Sequence, residues 1–395
     1  MTQAVVVAGV GMIPFTKPGA GGSYVEMGAE AARRALADAG VDYRHVQQAY
    51  AGYVYGDSTC GQSALYEVGL TGIPVVNVNN NCSTGSSALF LARQAVDSGA
   101  VDCALALGFE QMQPGALKSH WDDRPAAMAK GNAVVRQLTG DVDGLPAALR
   151  MFGGAGREHM RQYGTTMETF AAIRAKASRH AANNPLAIFR KVVSTEDVMA
   201  DQPVWPGVMT RLMACPPTCG AAAALVVSQP FAKRHGLRTQ VRILAQAMTT
   251  DGPSSFEPPS LIRAVGFDMA RAAAGQVYER AGVGPEDIRV AELHDCFAHN
   301  ELLTYEALGL CPEGGAAKFV ADGDNTYGGR VVTNPSGGLL SKGHPLGATG
   351  LAQCFELTQQ LRGNAEARQV DGVQLALQHN LGLGGACVVT LYGRG

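Results

Sequence analysis

Two hydrophobic patterns alternate along this chain. Short apolar runs rich in β-branched residues have the length of buried strands, the first being Val5-Val-Val-Ala-Gly-Val-Gly-Met12. Between them lie stretches of about 12–18 residues whose Ala and Leu recur at helical spacing. Strands alternating with helices of this length predict mostly parallel, helix-covered sheets.

The pattern occurs twice. Glu26-Met-Gly-Ala-Glu-Ala-Ala-Arg-Arg-Ala-Leu-Ala-Asp-Ala-Gly40 resembles Asp268-Met-Ala-Arg-Ala-Ala-Ala-Gly-Gln-Val-Tyr-Glu-Arg-Ala-Gly282, and Met27 to Met269 and Gly40 to Gly282 are both offset by 242. Each segment reads as an amphipathic helix closed by a C-terminal glycine. A second pair follows: Thr84-Gly85 and Thr349-Gly350 each open a helix, and those helices feed the similar strands Cys103–Gly108 and Gln374–Gln378. The chain is therefore expected to form two similar α/β halves, 1–115 and 235–395, with an insertion over 116–234. Within the insertion, Met167–His180 reads as a helix with a basic side, Arg174, Lys176 and Arg179. That side suits a solvated face or contacts to phosphate.

With 395 residues, 46% hydrophobic and 17% charged, the composition is that of an ordinary globular enzyme. A net charge of −2 gives no field for nucleic acid or an anionic membrane. No stretch reaches the roughly 18 apolar residues of a membrane helix, and no basic residue precedes the first apolar run as in a signal peptide. Nine cysteines without framework spacing fit a reducing compartment, so the cytoplasm is expected.

Candidate chemistry sits at four places. Asn77-Val-Asn-Asn-Asn-Cys82-Ser-Thr-Gly-Ser-Ser87 turns a strand into a helix and presents one thiol at the corner. A helix N-terminus favours thiolate over thiol, and small neighbours leave room for a substrate. The others are Glu292-Leu-His294-Asp-Cys296-Phe-Ala-His299, Asn334-Pro-Ser-Gly-Gly-Leu-Leu-Ser-Lys-Gly-His344-Pro-Leu-Gly-Ala-Thr-Gly350 and Gln378-His-Asn380-Leu-Gly382-Leu-Gly-Gly385. Each lies at a strand end or helix start, where α/β sheets place ligands. Cys82, His294 and Cys296 lack the paired Cys-x-x-Cys of a zinc site, Pro216 and Pro217 set Cys215 and Cys219 in a non-metal context, and Gly9-Val-Gly11 lacks the third glycine of a dinucleotide fingerprint.

Together, these four segments resemble the thiolase superfamily over essentially the whole chain. His294-Asp-Cys-Phe297 in place of the usual Asn-Glu-Ala-Phe resembles the sterol-carrier-protein type, in its free-standing bacterial form. The resemblance implies a duplicated α/β fold, with helix-covered mixed sheets layered α-β-α-β-α and an inserted loop domain. It implies a 3-oxoacyl-CoA thiolase, including for branched or steroid side-chain substrates, with CoA as co-substrate, no resident cofactor and no metal.

Cys82 would be the nucleophile and His344 the base that takes its proton and then helps hold the thioester oxygen. His294 would be a second donor in that oxyanion hole, and the amides of Cys82 and Gly382 a second hole. Most thiolases carry an acid/base cysteine where this chain has Asn380-Leu-Gly382, and Cys296 is the implied substitute. Cys387 reads as packing, and Cys219 stands where relatives usually carry Asp. CoA phosphate contacts are expected from Arg174, Lys176 and Arg179, and a homodimer or homotetramer from the family. The alternatives are a thiolase-like aldolase acting with a partner protein, or an acyl-CoA or lipid binder without catalysis.

Overall fold

The computed structural model describes residues 4–114, 121, 123–140 and 144–395. Its strands are β1 (Val5–Met12), β2 (Gln48–Gly52), β3 (Val75–Val78), β4 (Cys103–Glu110), β5 (Pro203–Trp205), β6 (Met209–Thr210), β7 (Gly220–Ser228), β8 (Val241–Thr249), β9 (Val290–Glu292), β10 (Val332–Thr333), β11 (Leu375–Gly382) and β12 (Ala386–Arg394). β5 and β6 pair with each other, and the rest follow one order, β10-β9-β11-β12-β8-β1-β7-β4-β2-β3. That order reads the same from its centre outward: β8 matches β1, β12 matches β7, β11 matches β4, β9 matches β2, and β10 matches β3. The duplication in the sequence is thus a two-fold repeat in space, its halves meeting where Val5 and Val6 face Ile243 and Arg242.

Alternation along β1 explains the layers. Val5, Val7, Val10 and Met12 face a central core with Leu89, Ala92 and Val96 of helix Thr84–Asp97 and Leu351, Leu357 and Leu361 of helix Thr349–Arg362. Each fully buried leucine there contributes about 2 kcal/mol of transfer free energy. Val6 and Ala8 face the other way, against Ala31, Ala35 and Leu36 of helix Tyr24–Ala39. Helix Phe267–Ala281 covers the second half in the same manner through Ala270, Ala273 and Val277. The result is the expected α-β-α-β-α layering.

Helix Tyr24–Ala39 starts with a capping box between Ser23 and Glu26 and ends at Gly40, φ 70°. Its counterpart ends the same way at Gly282, φ 67°. A Cβ on Gly9 or Gly11 would stand 2.2 Å from the Ala35 carbonyl or 2.3 Å from that of Ala31. Those glycines therefore serve close helix–strand packing.

Three expectations change. The sheets are mixed, as the resemblance implied, rather than mostly parallel, as the strand–helix pattern alone predicted: β2 and β9 run parallel to their neighbours, whereas β7 and β12 run antiparallel to theirs. The strand expected at Gln374–Gln378 runs on to Gly382 as β11, which a tight hairpin returns along β12 so that Gly382 pairs with Ala386. So short a connection can only join antiparallel strands. The expected insertion 116–234 also contains β7, which lies between β1 and β4 and so belongs to the first sheet. Of the rest, helices Ala147–Tyr163 and Met167–Ala182 pack on the second half, where the Phe152 ring stacks on Phe297 at 5.0 Å.

Candidate active site

Cys82 is carried by a wound turn after β3. Asn81 adopts a left-handed conformation, φ 51°. The Asn80 amide donates to Thr84 Oγ1 at 2.9 Å, and that hydroxyl donates to the Asn81 carbonyl at 2.6 Å, so the turn runs straight into helix Thr84–Asp97. The second half grips the turn: Asn81 Nδ2 donates to the Leu383 carbonyl at 3.1 Å. A Cβ on Gly382 would stand 2.2 Å from the Asn80 carbonyl oxygen, so only glycine lets the β11 end approach so closely.

β9 delivers the His294–Phe297 segment, which is pinned on both sides. Asp295 accepts from the amides of Leu339 at 2.7 Å and Leu340 at 3.3 Å, and Asn300 Nδ2 donates to the His294 carbonyl at 2.6 Å. Glu292 accepts from the Ser336 amide and hydroxyl and from Lys342 Nζ at 3.1 Å, which fixes the loop leading to His344. The strand-like segment Ala214–Thr218 joins these pieces. The Cys215 amide donates to the Cys296 carbonyl at 2.9 Å, and the His344 amide donates to Thr218 Oγ1 at 3.1 Å.

The orientation of His344 can be worked out from its partners. Thr349 has one hydroxyl hydrogen and donates it to the Pro345 carbonyl at 2.9 Å. It must therefore accept from His344 Nδ1–H, 2.7 Å away. That leaves a lone pair on Nε2, which is buried and has no partner among the described residues. His344 Nε2 is therefore open to accept a proton.

These elements converge. The Cys82 sulfur, one ring nitrogen of His294 and one of His344 all lie within 4.8 Å of one another. The two imidazoles meet edge to face, with centroids 5.1 Å apart. Sulfur and two imidazoles this close could also serve as donors to a soft divalent metal. Asn380 completes the cluster, its Nδ2 lying 3.2 Å from the Cys82 carbonyl and 3.0 Å from His294 Nδ1. Cys296 is buried beside Cys215, and after burial the nearby Cys215 and Cys82 sulfurs raise its thiol further.

The thiolate expected at the helix start is not the resting state. Burial, with the nearby Glu110 carboxylate, pushes the Cys82 thiol up to about 12. Burial also holds His344 down at about 3 and His294 well below its usual range. Desolvation outweighs the helix dipole here, so thiol and neutral imidazole face each other. A proton must move as the sulfur attacks. Cys296 is likewise held as a thiol by burial.

The other expected residues fall as follows. Lys176 is buried, paired with Glu301 and donating to Thr333 Oγ1 at 2.7 Å, and Arg174 is buried with a 2.8 Å bond to Ser341 Oγ. The basic side of their helix is thus mostly an interior face, not a solvated one, and only Arg179 of the three is exposed. A phosphate at Lys176 or Arg174 would have to displace these internal partners. Cys219 is buried with its thiol 3.3 Å from the Met112 carbonyl, a loop contact, and Cys387 is packed inside β12.

Sequence reasoning missed Glu110, which accepts from the amides of Val54, Tyr55 and Gly347 and so ties the His344 loop to the first half. It read Cys215 only as a non-metal cysteine, and not as the neighbour of Cys296. Neither had a sequence signal, because their importance comes from neighbours distant in the chain.

The buried histidines carry a stability prediction. His180, His344 and His379 are held at about 3 and His299 at about 4 by burial, and His294 is lowered too. Each stays neutral when folded but binds a proton near pH 6.5 when unfolded. Its contribution is present above pH 6.5 and is lost as pH falls, at up to about 1.4 kcal/mol per unit. Glu110, Asp295 and Glu356, which burial raises, work in the opposite sense. The histidines outnumber them, so the urea midpoint should drop between pH 7 and pH 5; a midpoint that rises would contradict this.

Comparison with known proteins fits this geometry. Residues 5–202 match the thiolase N-terminal domain, and residues 260–392 match the thiolase C-terminal domain-like family. Sterol carrier protein 2 of Oryctolagus cuniculus is 56% identical over 395 residues, covering 99% of this chain and 72% of that protein. The benzoylsuccinyl-CoA thiolase subunit BbsB of Thauera aromatica is 34% identical, covering 97% of this chain and 96% of its own. Among solved structures, the Ltp2–ChsH2(DUF35) aldolase superposes with a TM-score of 0.83 at 24% identity, covering 99% of this chain and 98% of that one.

Proposed function

The chain belongs to the thiolase family, in its sterol-carrier-protein type, and we propose that it is a 3-oxoacyl-CoA thiolase working through an acyl-cysteine at Cys82. The observation that carries this reading is the convergence of the Cys82 sulfur with His294 and His344 within 4.8 Å, beside a buried second thiol, Cys296.

The steps follow from those groups. His344 Nε2 takes the Cys82 proton as the sulfur bonds to the 3-keto carbon. The Cα–Cβ bond then breaks, its electron pair forming an enolate whose oxygen is met by His294 and the now protonated His344. Cys296 gives its proton to the enolate carbon, and acetyl-CoA or propionyl-CoA leaves. The Cys296 thiolate takes the proton of an incoming CoA thiol, and the CoA sulfur displaces Cys82 as a shortened acyl-CoA. Cys82 departs as a thiol, taking back the His344 proton. The amides of Cys82 and Gly382 serve the tetrahedral intermediates on sulfur.

Branched and steroid side-chain thioesters are the proposed substrate range, and Arg179 is the proposed solvent-facing phosphate contact. A dimer is supported by β3, an edge strand with Val76 exposed, and by its exposed neighbours Tyr66 and Leu70. The nine free cysteines support a reducing compartment such as the cytoplasm.

The test is stoichiometry. Purified protein given a 2-methyl-3-oxoacyl-CoA should consume one CoA for each cleavage and yield two acyl-CoA products, with an acyl adduct on Cys82 in mass spectra taken before CoA is added. Cleavage that ignores CoA would replace this reading with an aldolase, and binding without cleavage would replace it with a carrier.

A further inference from the structure

We propose that Asn380 is a positioning residue that holds His294 as the Nε2–H tautomer, so that the site presents one imidazole donor and one imidazole base rather than two interchangeable ones. The argument uses only groups whose roles are fixed. Two backbone carbonyls, those of Gly350 and Cys82, can only accept hydrogen bonds.

Gln378 Nε2 donates to the Gly350 carbonyl at 2.7 Å, which orients the Gln378 amide, and its second hydrogen goes to Ser86 Oγ at 2.8 Å. Gln378 Oε1, on the other side, accepts from the Tyr392 hydroxyl. Ser86 therefore accepts from Gln378 and spends its own hydrogen on Asn380 Oδ1, 2.8 Å away. Independently, Asn380 Nδ2 donates to the Cys82 carbonyl at 3.2 Å. Both routes place oxygen toward Ser86 and nitrogen toward His294.

The remaining hydrogen of Nδ2 meets His294 Nδ1 at 3.0 Å, so Nδ1 must carry a lone pair and the ring proton sits on Nε2. All of these side chains except Cys82 are buried. No water is needed to complete the chain.

The consequence is a division of labour. Thr349 leaves His344 with a lone pair on Nε2, and Asn380 leaves His294 with a hydrogen there. The first suits removal of the Cys82 proton, the second donation to a developing oxyanion. The same tautomer disfavours a metal at this cluster. A ligating Nε2 would send the proton to Nδ1 and set two donors against each other at 3.0 Å.

The kinetic part rests on the thiolase reading; the tautomer does not. In histidine-labelled wild-type protein, nitrogen–proton correlation spectra should show the His294 hydrogen on Nε2, with His294→Ala identifying the signal. Asn380→Asp offers an acceptor at the same place and should move that hydrogen to Nδ1. It should lower kcat by about 100-fold while KM stays within about twofold, as for loss of an oxyanion donor.

Should Asn380→Asp fail to fold, the wild-type spectrum and Asn380→Ala, expected to mix the tautomers, still decide the matter. A wild-type hydrogen on Nδ1, or an unchanged kcat in Asn380→Asp, overturns the proposal. If wild-type protein cleaves no 3-oxoacyl-CoA, the thiolase reading falls and the spectrum alone judges the tautomer.

Discussion

Cys82→Ala should lose CoA-dependent cleavage by about 10⁴-fold or more, because the acyl-enzyme on that sulfur is the intermediate through which the proposed cycle runs. The fold should survive: Cys82 is only half-buried, and its turn is held by Asn80, Asn81 and Thr84. Stability should shift by less than about 1 kcal/mol. Cys296→Ala makes the informative contrast. It removes a proton carrier and not the nucleophile, so the rate should fall by about 10²–10⁴, and acyl adduct should still form on Cys82, slowly. Equal adduct formation in Cys82→Ala and the wild type would end the acyl-cysteine mechanism; rapid turnover by Cys296→Ala would assign the second thiol to packing.

Gly350→Ala should be strongly destabilising for so small a substitution. A Cβ there would lie 2.1 Å from Ser86 Oγ, 2.3 Å from the Ser86 amide nitrogen and 2.6 Å from Asn380 Oδ1. Two of these contacts are with hydroxyl and amide groups that could rotate away, but the Ser86 nitrogen is helix backbone and cannot. The helices led by Cys82 and His344 would have to separate, at a cost of about 3 kcal/mol. That outweighs the roughly 1 kcal/mol alanine gains over glycine inside a helix. Turnover should fall too, since Ser86 and Asn380 orient His294. Gly275→Ala, in an exposed helix position with nothing within 4 Å of a Cβ, should instead gain about 1 kcal/mol. Urea titration of both variants checks the pair, and a Gly350→Ala midpoint at or above wild type would refute the packing argument.

Much of this was legible in the sequence for a physical reason. A repeat such as Met27/Met269 or Gly40/Gly282 records local constraints, helix faces and caps, that a chain expresses wherever it lies. Close approach leaves marks of the same kind. Thr84-Gly85 and Thr349-Gly350 stand out as equivalent positions, and in the fold a Cβ on Gly85 would be 3.2 Å from the Gly350 amide nitrogen. The helix Met167–Ala182 shows the limit of such reading. Its sequence registers Arg174 and Lys176 as a basic side, but not that Glu301 and Ser341, more than a hundred residues away, wait to receive them.

By itself, then, the sequence determined most of the elements, the duplication, the kinship and the four segments that converge at the candidate site, because each depends on neighbours a few residues apart. Only the tertiary structure decided the state of those groups. Cys82 is a thiol and not the thiolate its helix start suggested, because burial and Glu110 act on it from other strands. His344 keeps a lone pair on Nε2 because Thr349 spends its hydrogen on Pro345, and in the proposed tautomer His294 carries its proton on Nε2 because Asn380 is oriented by two distant carbonyls. The Thr349 contact to His344 is local, but desolvation of these groups and the Asn380 contact to His294 exist only once residues far apart in the chain have been brought together.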